Sequence, residues 1–71
     1  MRILEAFSDD VLVIITNEGK KTFQVGDYIS LTMIDGISIF GTILKIDVDS
    51  LTIDFNNSER TYNYEKLAYL N

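Results

Sequence analysis

The sequence predicts an all-β chain: a small barrel of five to seven short antiparallel strands, preceded by an extra N-terminal β-hairpin. Three observations carry that expectation. Ile, Val, Thr, Tyr and Phe fall in short runs separated by turn residues, and the 71 residues contain no Pro. Apolar and polar residues alternate at a period of two, most cleanly in LTIDF, whereas helical periodicity is weak throughout. The length allows one domain near the lower limit of what folds without disulfides, metals or oligomerisation, so the core must be economical. Within that domain, residues 1–24 are expected to form the N-terminal hairpin and short-strand extension, and residues 25–71 the barrel core.

Taken in order, the first strand is expected within Arg2–Phe7 and the first turn at Ser8–Asp10. A strand over Val11–Thr16, a turn at NEGK and a short strand over Lys21–Gln24 follow. After VGD, where Asp27 is placed to bond the loop backbone, Tyr28–Ile34 forms the first barrel strand. Asp35-Gly36 between two apolar runs is a strong hairpin signal, since Gly36 accepts the positive φ that a tight primed turn requires. The long strand Ile37–Ile46 carries Gly41 in its interior, where a missing side chain permits a sharp bend or bulge and lets one strand serve both halves of a small barrel. The turn DVDS leads into Leu51–Phe55, with Leu51, Ile53 and Phe55 on one face and Thr52 and Asp54 on the other. The loop NNSE, a strand over Arg60–Asn63, a single turn at YEK and a last strand over Leu67–Leu70 complete the chain.

The chain also resembles itself. Ile3-Leu4 aligns with Ile43-Leu44, Asp9 with Asp49, and Val11, Val13 and Ile15 with Leu51, Ile53 and Phe55. With one residue skipped in the longer first loop, Lys21-Thr22-Phe23 then aligns with Arg60-Thr61-Tyr62. Two accounts are open: any two meandering β segments align in this way by composition, or a supersecondary unit is repeated.

From Val25 to Leu70 the pattern resembles an SH3-like small barrel: VGDYISL, the hairpin IDG, the bent strand ISIFGTILKI, the turn DVD, SLTIDF, RTYNY, a turn at YEK and LAYL. Within that superfamily it is similar to the first motif of the Sm-like proteins, with Gly36 in the hairpin, Gly41 at the bend, Ile43 in the core and Asp47 at the end. The resemblance implies the barrel and not the family's RNA site. Leu51 stands where that motif has a base-reading Asn, YNYEKLAYL lacks the basic residue and Gly of the second motif, and the chain opens with a hairpin-like segment where Sm-like proteins usually carry a helix.

Composition narrows the function classes. At 46% hydrophobic and 24% charged, the chain has the apolar material of a globular protein and not of a disordered one. Without Cys or His it has no thiol nucleophile, no soft metal ligand, no disulfide and no imidazole base. No GxSxG or phosphate-cradling glycine loop is present, and a chain this small rarely encloses a catalytic cleft, so the expectation is a non-enzyme without cofactor or metal. A net charge of −5, with Arg2, Lys20, Lys21, Lys45, Arg60 and Lys66 dispersed, argues against a general nucleic-acid or anionic-membrane binder. Glu5, Ser8, Asp9 and Asp10 interrupt the N-terminal apolar residues before the short VLVII run, which points to a soluble, cytoplasmic protein with no membrane span.

Two constellations are candidates for partner binding. Tyr62, Tyr64 and Tyr69, with Tyr28 and Phe40, supply the aromatic residues of a recognition strip, or alternatively fill the core with their polar tips in water. Asp47, Asp49 and Asp54 offer oxygen ligands, but Thr52 and Ser58 replace the Gly and Glu of a calcium-binding EF-hand loop; a hydrated turn whose Asp side chains bond local amides is the favoured assignment. Gly36, Gly41 and Asp35 are assigned structural roles. Three functions from different classes follow. The first is a protein–protein interaction module, with homo-oligomerisation open. The second is an Sm-like nucleic-acid-binding oligomer. The third is an acidic inhibitor that blocks a nucleic-acid-binding protein, of the kind a phage or mobile element makes; the high Ile, Asp and Asn usage agrees with an AT-rich genome.

Overall fold

The computed structural model describes the backbone of residues 2–7 and 11–71 and the side chains of residues 11–71. The architecture is all-β, in two antiparallel sheets neither of which closes on itself. Strands β1 (Arg2–Phe7), β2 (Val11–Thr16) and β3 (Gly19–Gln24) form a three-stranded meander. The second sheet holds β4 (Tyr28–Met33), β5 (Ser38–Ile46), β6 (Ser50–Phe55), β7 (Ser58–Asn63) and β8 (Leu67–Leu70) in the order β7-β6-β5-β4-β8. A single 3-10 turn over Tyr64–Lys66 joins β7 to β8. The turn expected at Ser8–Asp10 lies outside the described residues.

One core serves both sheets. Leu12 and Ile14 of β2 pack in the same cluster as Ile29, Leu31, Ile39, Ile43, Ile46, Leu51, Ile53 and Leu67. The N-terminal segment is thus more than a hairpin appended to a finished barrel, because its β2 covers one side of the second sheet and completes the burial a domain this small requires.

Strand β5 makes that core possible. Its first half, Ser38–Thr42, bonds β4, and its second half, Thr42–Ile46, bonds β6. Gly41 has φ 153° and faces Ile29 across the β4 ladder. An added Cβ there would overlap the Asp54 carbonyl oxygen and come within 2.7 Å of the Ile53 Cγ2 methyl. The bend expected at Gly41 is therefore a close approach of two backbones that only glycine permits. A second irregularity, a bulge between Ile43 and Lys45, inserts Leu44. That extra residue shifts the parity of the strand, so that Ile43 and Ile46, three apart, both reach the core while Leu44 is exposed.

The turns depart from expectation in an instructive way. Asp35-Gly36 is not a two-residue primed turn. Met33 N–H donates to Ile37 O at 2.7 Å and Gly36 N–H to Met33 O at 2.9 Å, which closes a three-residue loop with Gly36 alone at positive φ, 90°. Asp35 accepts from the Ile37 N–H at 3.1 Å and so holds the loop from inside. The two-residue primed geometry occurs at Asn56-Asn57, with φ 51° and 63°, between the paired residues Phe55 and Ser58. Asn is among the few L-residues that tolerate this conformation, and the tight turn extends β7 back to Ser58, two residues earlier than Arg60. Asp27 does bond its own loop: Gln24 N–H donates to its Oδ2 at 2.8 Å.

The resemblance between the halves is carried by strand registers. Every pair of β2–β3 has its counterpart in β6–β7 thirty-nine residues on, from Val11↔Gln24 and Ser50↔Asn63 to Thr16↔Gly19 and Phe55↔Ser58. The β1–β2 ladder shifts register between Ile3 and Glu5, and the β5–β6 ladder between Ile43 and Lys45, forty residues on. The skipped residue therefore falls before β2, and Leu12 and Ile14, not Val11, Val13 and Ile15, correspond to Leu51 and Ile53. In VLVII every position is apolar, so the sequence could not show which parity faces inward. The halves meet at β4 and β8, where Leu31 pairs with Leu70 and Thr32 with Tyr69, while Asn71 N–H donates to Ser30 O at 2.9 Å. A shift of thirty-nine exchanges the last two contacts and returns the first to itself, as a local two-fold axis at Leu31–Leu70 requires.

Gly41→Val is expected to cost about 3 kcal/mol or more, and Gly36→Ala, where nothing lies within 4 Å, about 1 kcal/mol. Urea unfolding of the two variants checks the contrast; equal midpoints would remove the bend assignment. Asn57→Gly should stabilise by roughly 0.5 kcal/mol in the same titration, since it relieves a left-handed asparagine.

Candidate functional site

The aromatic residues separate into three places. Phe40 of β5 meets Phe55 of β6 edge to face, with ring centroids 4.6 Å apart and planes at 75°. These two rings are 39% and 46% exposed, and with Tyr62, Arg60, Ser38 and Ser58 they line a cleft of about 230 Å³ between the start of β5 and β7. Tyr69 lies on β8 and is 64% exposed, beside a different cleft. Tyr28, at the start of β4, is equally exposed and lines a third. The single strip of Tyr62, Tyr64, Tyr69 and Phe40 does not exist, because β7 and β8 occupy opposite edges of the sheet. Phe55, which completes the aromatic cleft, is expected from alternation on the core face with Leu51 and Ile53. It is the last residue before the Asn56-Asn57 turn, and strand ends leave even an inward parity uncovered.

Tyr64 has a structural place. Its hydroxyl donates to the Asp47 carbonyl at 2.8 Å and its N–H to the Asp49 carbonyl at 3.0 Å, which ties the 3-10 turn to the β5–β6 hairpin. Asn63 caps that turn by accepting from the Glu65 N–H at 2.9 Å. Burial, reinforced by the nearby Asp47 and Asp49 charges, pushes the Tyr64 phenol up to about 12.

The acidic residues are likewise divided. Asp47 and Asp49 flank the hairpin tip, which closes through Asp47 N–H donating to Ser50 O at 2.9 Å. The tip carbonyls, gripped by Tyr64, hold this turn, and no side-chain bond from Asp47 or Asp49 to a local amide is found. The turn chemistry expected here operates at Asp27 and Asp35 instead. Lys45 approaches Asp47 at 3.7 Å, an exposed pair worth little. Asp54 lies apart, half-buried on β6 and directly opposite Glu59 of β7. Like charges so placed repel and are not there for stability.

Between these groups sits Thr52, 6% exposed on the face expected to be wet. It shares a 2.9 Å hydrogen bond with the hydroxyl of Thr61 directly opposite, so its polar atom is satisfied under cover. The bases do not gather: Lys20 and Lys21 are on β3, Arg60 on β7, Lys45 on β5 and Lys66 in the 3-10 turn. Among the described residues, no group of three or more Asp, Glu, Cys or His side chains could hold a metal ion, and no helix is long and apolar enough to cross a membrane. Compared with family models, curated proteins and solved structures, the chain matches none.

Tyr64→Phe should destabilise by about 1 kcal/mol through loss of the hydroxyl bond. The wild-type contribution has a definite pH course. With the folded phenol titrating above the unfolded one, stability is fully present below about pH 10 and declines as pH rises from about 10 towards 12. Chemical denaturation across that interval should show a decline in the wild type that Tyr64→Phe reduces.

Proposed function

We propose that this chain is a non-enzymatic small β-barrel of the SH3-like kind that acts as a protein–protein interaction module, with the Phe40–Phe55 cleft as its contact surface. The order β7-β6-β5-β4-β8, with a 3-10 turn before the last strand, agrees with the resemblance of Val25–Leu70 to that superfamily. The single observation that carries the proposal is the aromatic pair itself. Two phenylalanines are held in a fixed mutual geometry at the surface, next to Arg60 and Tyr62, and aromatic and arginine side chains are the types that dominate protein interfaces. A core function alone does not require Phe40 to point outward.

The Asp54–Glu59 pair favours a second reading, the acidic inhibitor, in which carboxylates with no cation between them are presented to a basic nucleic-acid-binding surface. The Sm-like alternative would require the dispersed bases to converge through ring assembly.

Light scattering behind size exclusion at near-physiological salt, with the 260/280 nm ratio on the same peak, is expected to give a nucleic-acid-free monomer or dimer; a ring-sized, 260-rich peak would favour the Sm-like alternative instead. Partner capture should then fall about tenfold or more in Phe40→Ala and Arg60→Glu, with thermal unfolding nearly unchanged. It should also persist as salt is raised from about 0.1 to about 0.5 M. Capture that collapses with salt and with Asp54→Lys would support the acidic inhibitor.

A further inference from the structure

The main chain beside the Phe40–Phe55 cleft offers bonds of its own. Met33 N–H donates to Ile37 O at one end of the β4–β5 ladder, and Ile43 N–H donates to Asp27 O at the other. An antiparallel ladder alternates bonded and non-bonded pairs, so Leu31–Ile39 and Ile29–Gly41 are the bonded pairs between those ends. Ser38, Phe40 and Thr42 therefore turn their N–H and C=O groups away from β4. Those of Thr42 meet β6, where it pairs with Asp54. Strand β6 ends at Phe55 and the chain then reverses at Asn56-Asn57, so no strand among the described residues lies beside Ser38 and Phe40. This short unpaired edge borders the cleft that Phe55, Ser58, Arg60 and Tyr62 line from the other side.

Charge is sorted around the same opening. Residues directly opposite on paired strands share a face, and neighbours along a strand do not. Asp54 and Glu59 are paired on one face of the β6–β7 hairpin, whereas Arg60 lies on the other, opposite Ile53. The cleft lining thus includes Arg60 and no carboxylate, and the one ion pair among the described residues is Lys45–Asp47, elsewhere. In a chain of net charge −5 this cleft is locally positive. Its volume of about 230 Å³ falls below the roughly 300–1,000 Å³ of small-molecule sites, which suits one inserted side chain better than an enclosed ligand.

We propose that the guest of this cleft is an extended, acidic segment of a partner protein that adds as a strand to the free edge at Ser38–Phe40. It seats one large apolar side chain against Phe40, Phe55 and Tyr62 and brings a carboxylate to Arg60. This mode of binding rests on the cleft being the contact surface, and adds to it the form and charge of what binds. Main-chain bonds to Ser38 and Phe40 supply affinity that is indifferent to sequence, while the aromatic wall and the guanidinium supply selection.

The test uses the intact chain and the capped peptide TTETFTET, whose one face carries Phe between two Glu, so that either strand direction offers Arg60 a carboxylate. In 15N-labelled protein it should shift the amides of Ser38, Phe40, Arg60 and Tyr62 saturably and slow hydrogen exchange at Ser38 and Phe40. The uncharged peptide TTQTFTQT should bind at least about tenfold more weakly. A strand held by one edge uses only alternate amides, so N-methylation of all odd-numbered or all even-numbered peptide residues should differ by about tenfold or more, one set tolerated and the other not. Cleft shifts with both methylated peptides bound equally, or with TTQTFTQT bound as tightly as TTETFTET, would overturn the proposal and leave the cleft standing as a contact surface. Absence of cleft shifts at millimolar TTETFTET would overturn it as well. Partner capture by Phe40→Ala then decides separately on the cleft: undiminished capture removes the contact surface itself.

Discussion

Strand β5 can bond β4 at one end and β6 at the other because its regularity is broken twice, and both interruptions act on the same core. At Gly41 the strand comes so close to the Asp54 carbonyl that no β-carbon fits between them. Three residues on, the inserted Leu44 resets the side-chain parity and returns Ile46 to the interior beside Leu51. A straight, regular β5 would direct either Ile43 or Ile46 to solvent, since residues three apart on a strand face opposite ways. Seven of the ten cluster residues come from β4, β5 and β6, so the position of β5 decides whether that core exists.

How far the fold could be read from sequence varied with the residue pattern. Strand existence was legible throughout, because β-branched runs and polar interruptions rarely admit another local structure. Parity was legible in LTIDF for Leu51 and Ile53, where polar residues mark the other face, and illegible in VLVII, where nothing does. Gly41 could be found because an isolated glycine in an otherwise branched strand marks a bulge or a close backbone approach. The bulge at Leu44 could not, since Leu-Lys there is compatible with an unbroken strand and only the partner's register exposes the extra residue. Turn type depended on more than the dipeptide: Asp35-Gly36 carries a strong primed-turn signal, yet the flanking ladder closes at Met33 and Ile37 and leaves three residues for the loop.

The candidate site was less legible for a related reason. Sequence proximity grouped Tyr62, Tyr64 and Tyr69, but Tyr62 precedes a chain reversal, Tyr64 lies within it and Tyr69 follows it across the sheet. What joins Phe40, Phe55 and Tyr62 is cross-strand distance, fixed by registers that no local pattern reveals. Asp47, Asp49 and Asp54 were likewise grouped by sequence and are divided by the hairpin: two at its tip, one facing Glu59 part-way along. Thr52 shows the converse. Its outward parity was correct, yet it is covered, because a cross-strand hydroxyl partner makes burial of that polar atom cheap.

Two halves with matching strand registers account for how so short a chain makes a domain. Neither half buries its own apolar face: β2 offers Leu12 and Ile14 and little else to the shared cluster, while β6 and its neighbours need a cover for Leu51 and Ile53. Joining the halves at Leu31–Leu70 satisfies both faces at once and replaces a bimolecular encounter by a short connection, so the loop-closure cost stays small. The two members of that pair are not covered alike: Leu31 on the inner strand β4 is fully buried, while Leu70 on β8, at the edge of the sheet, is half-buried.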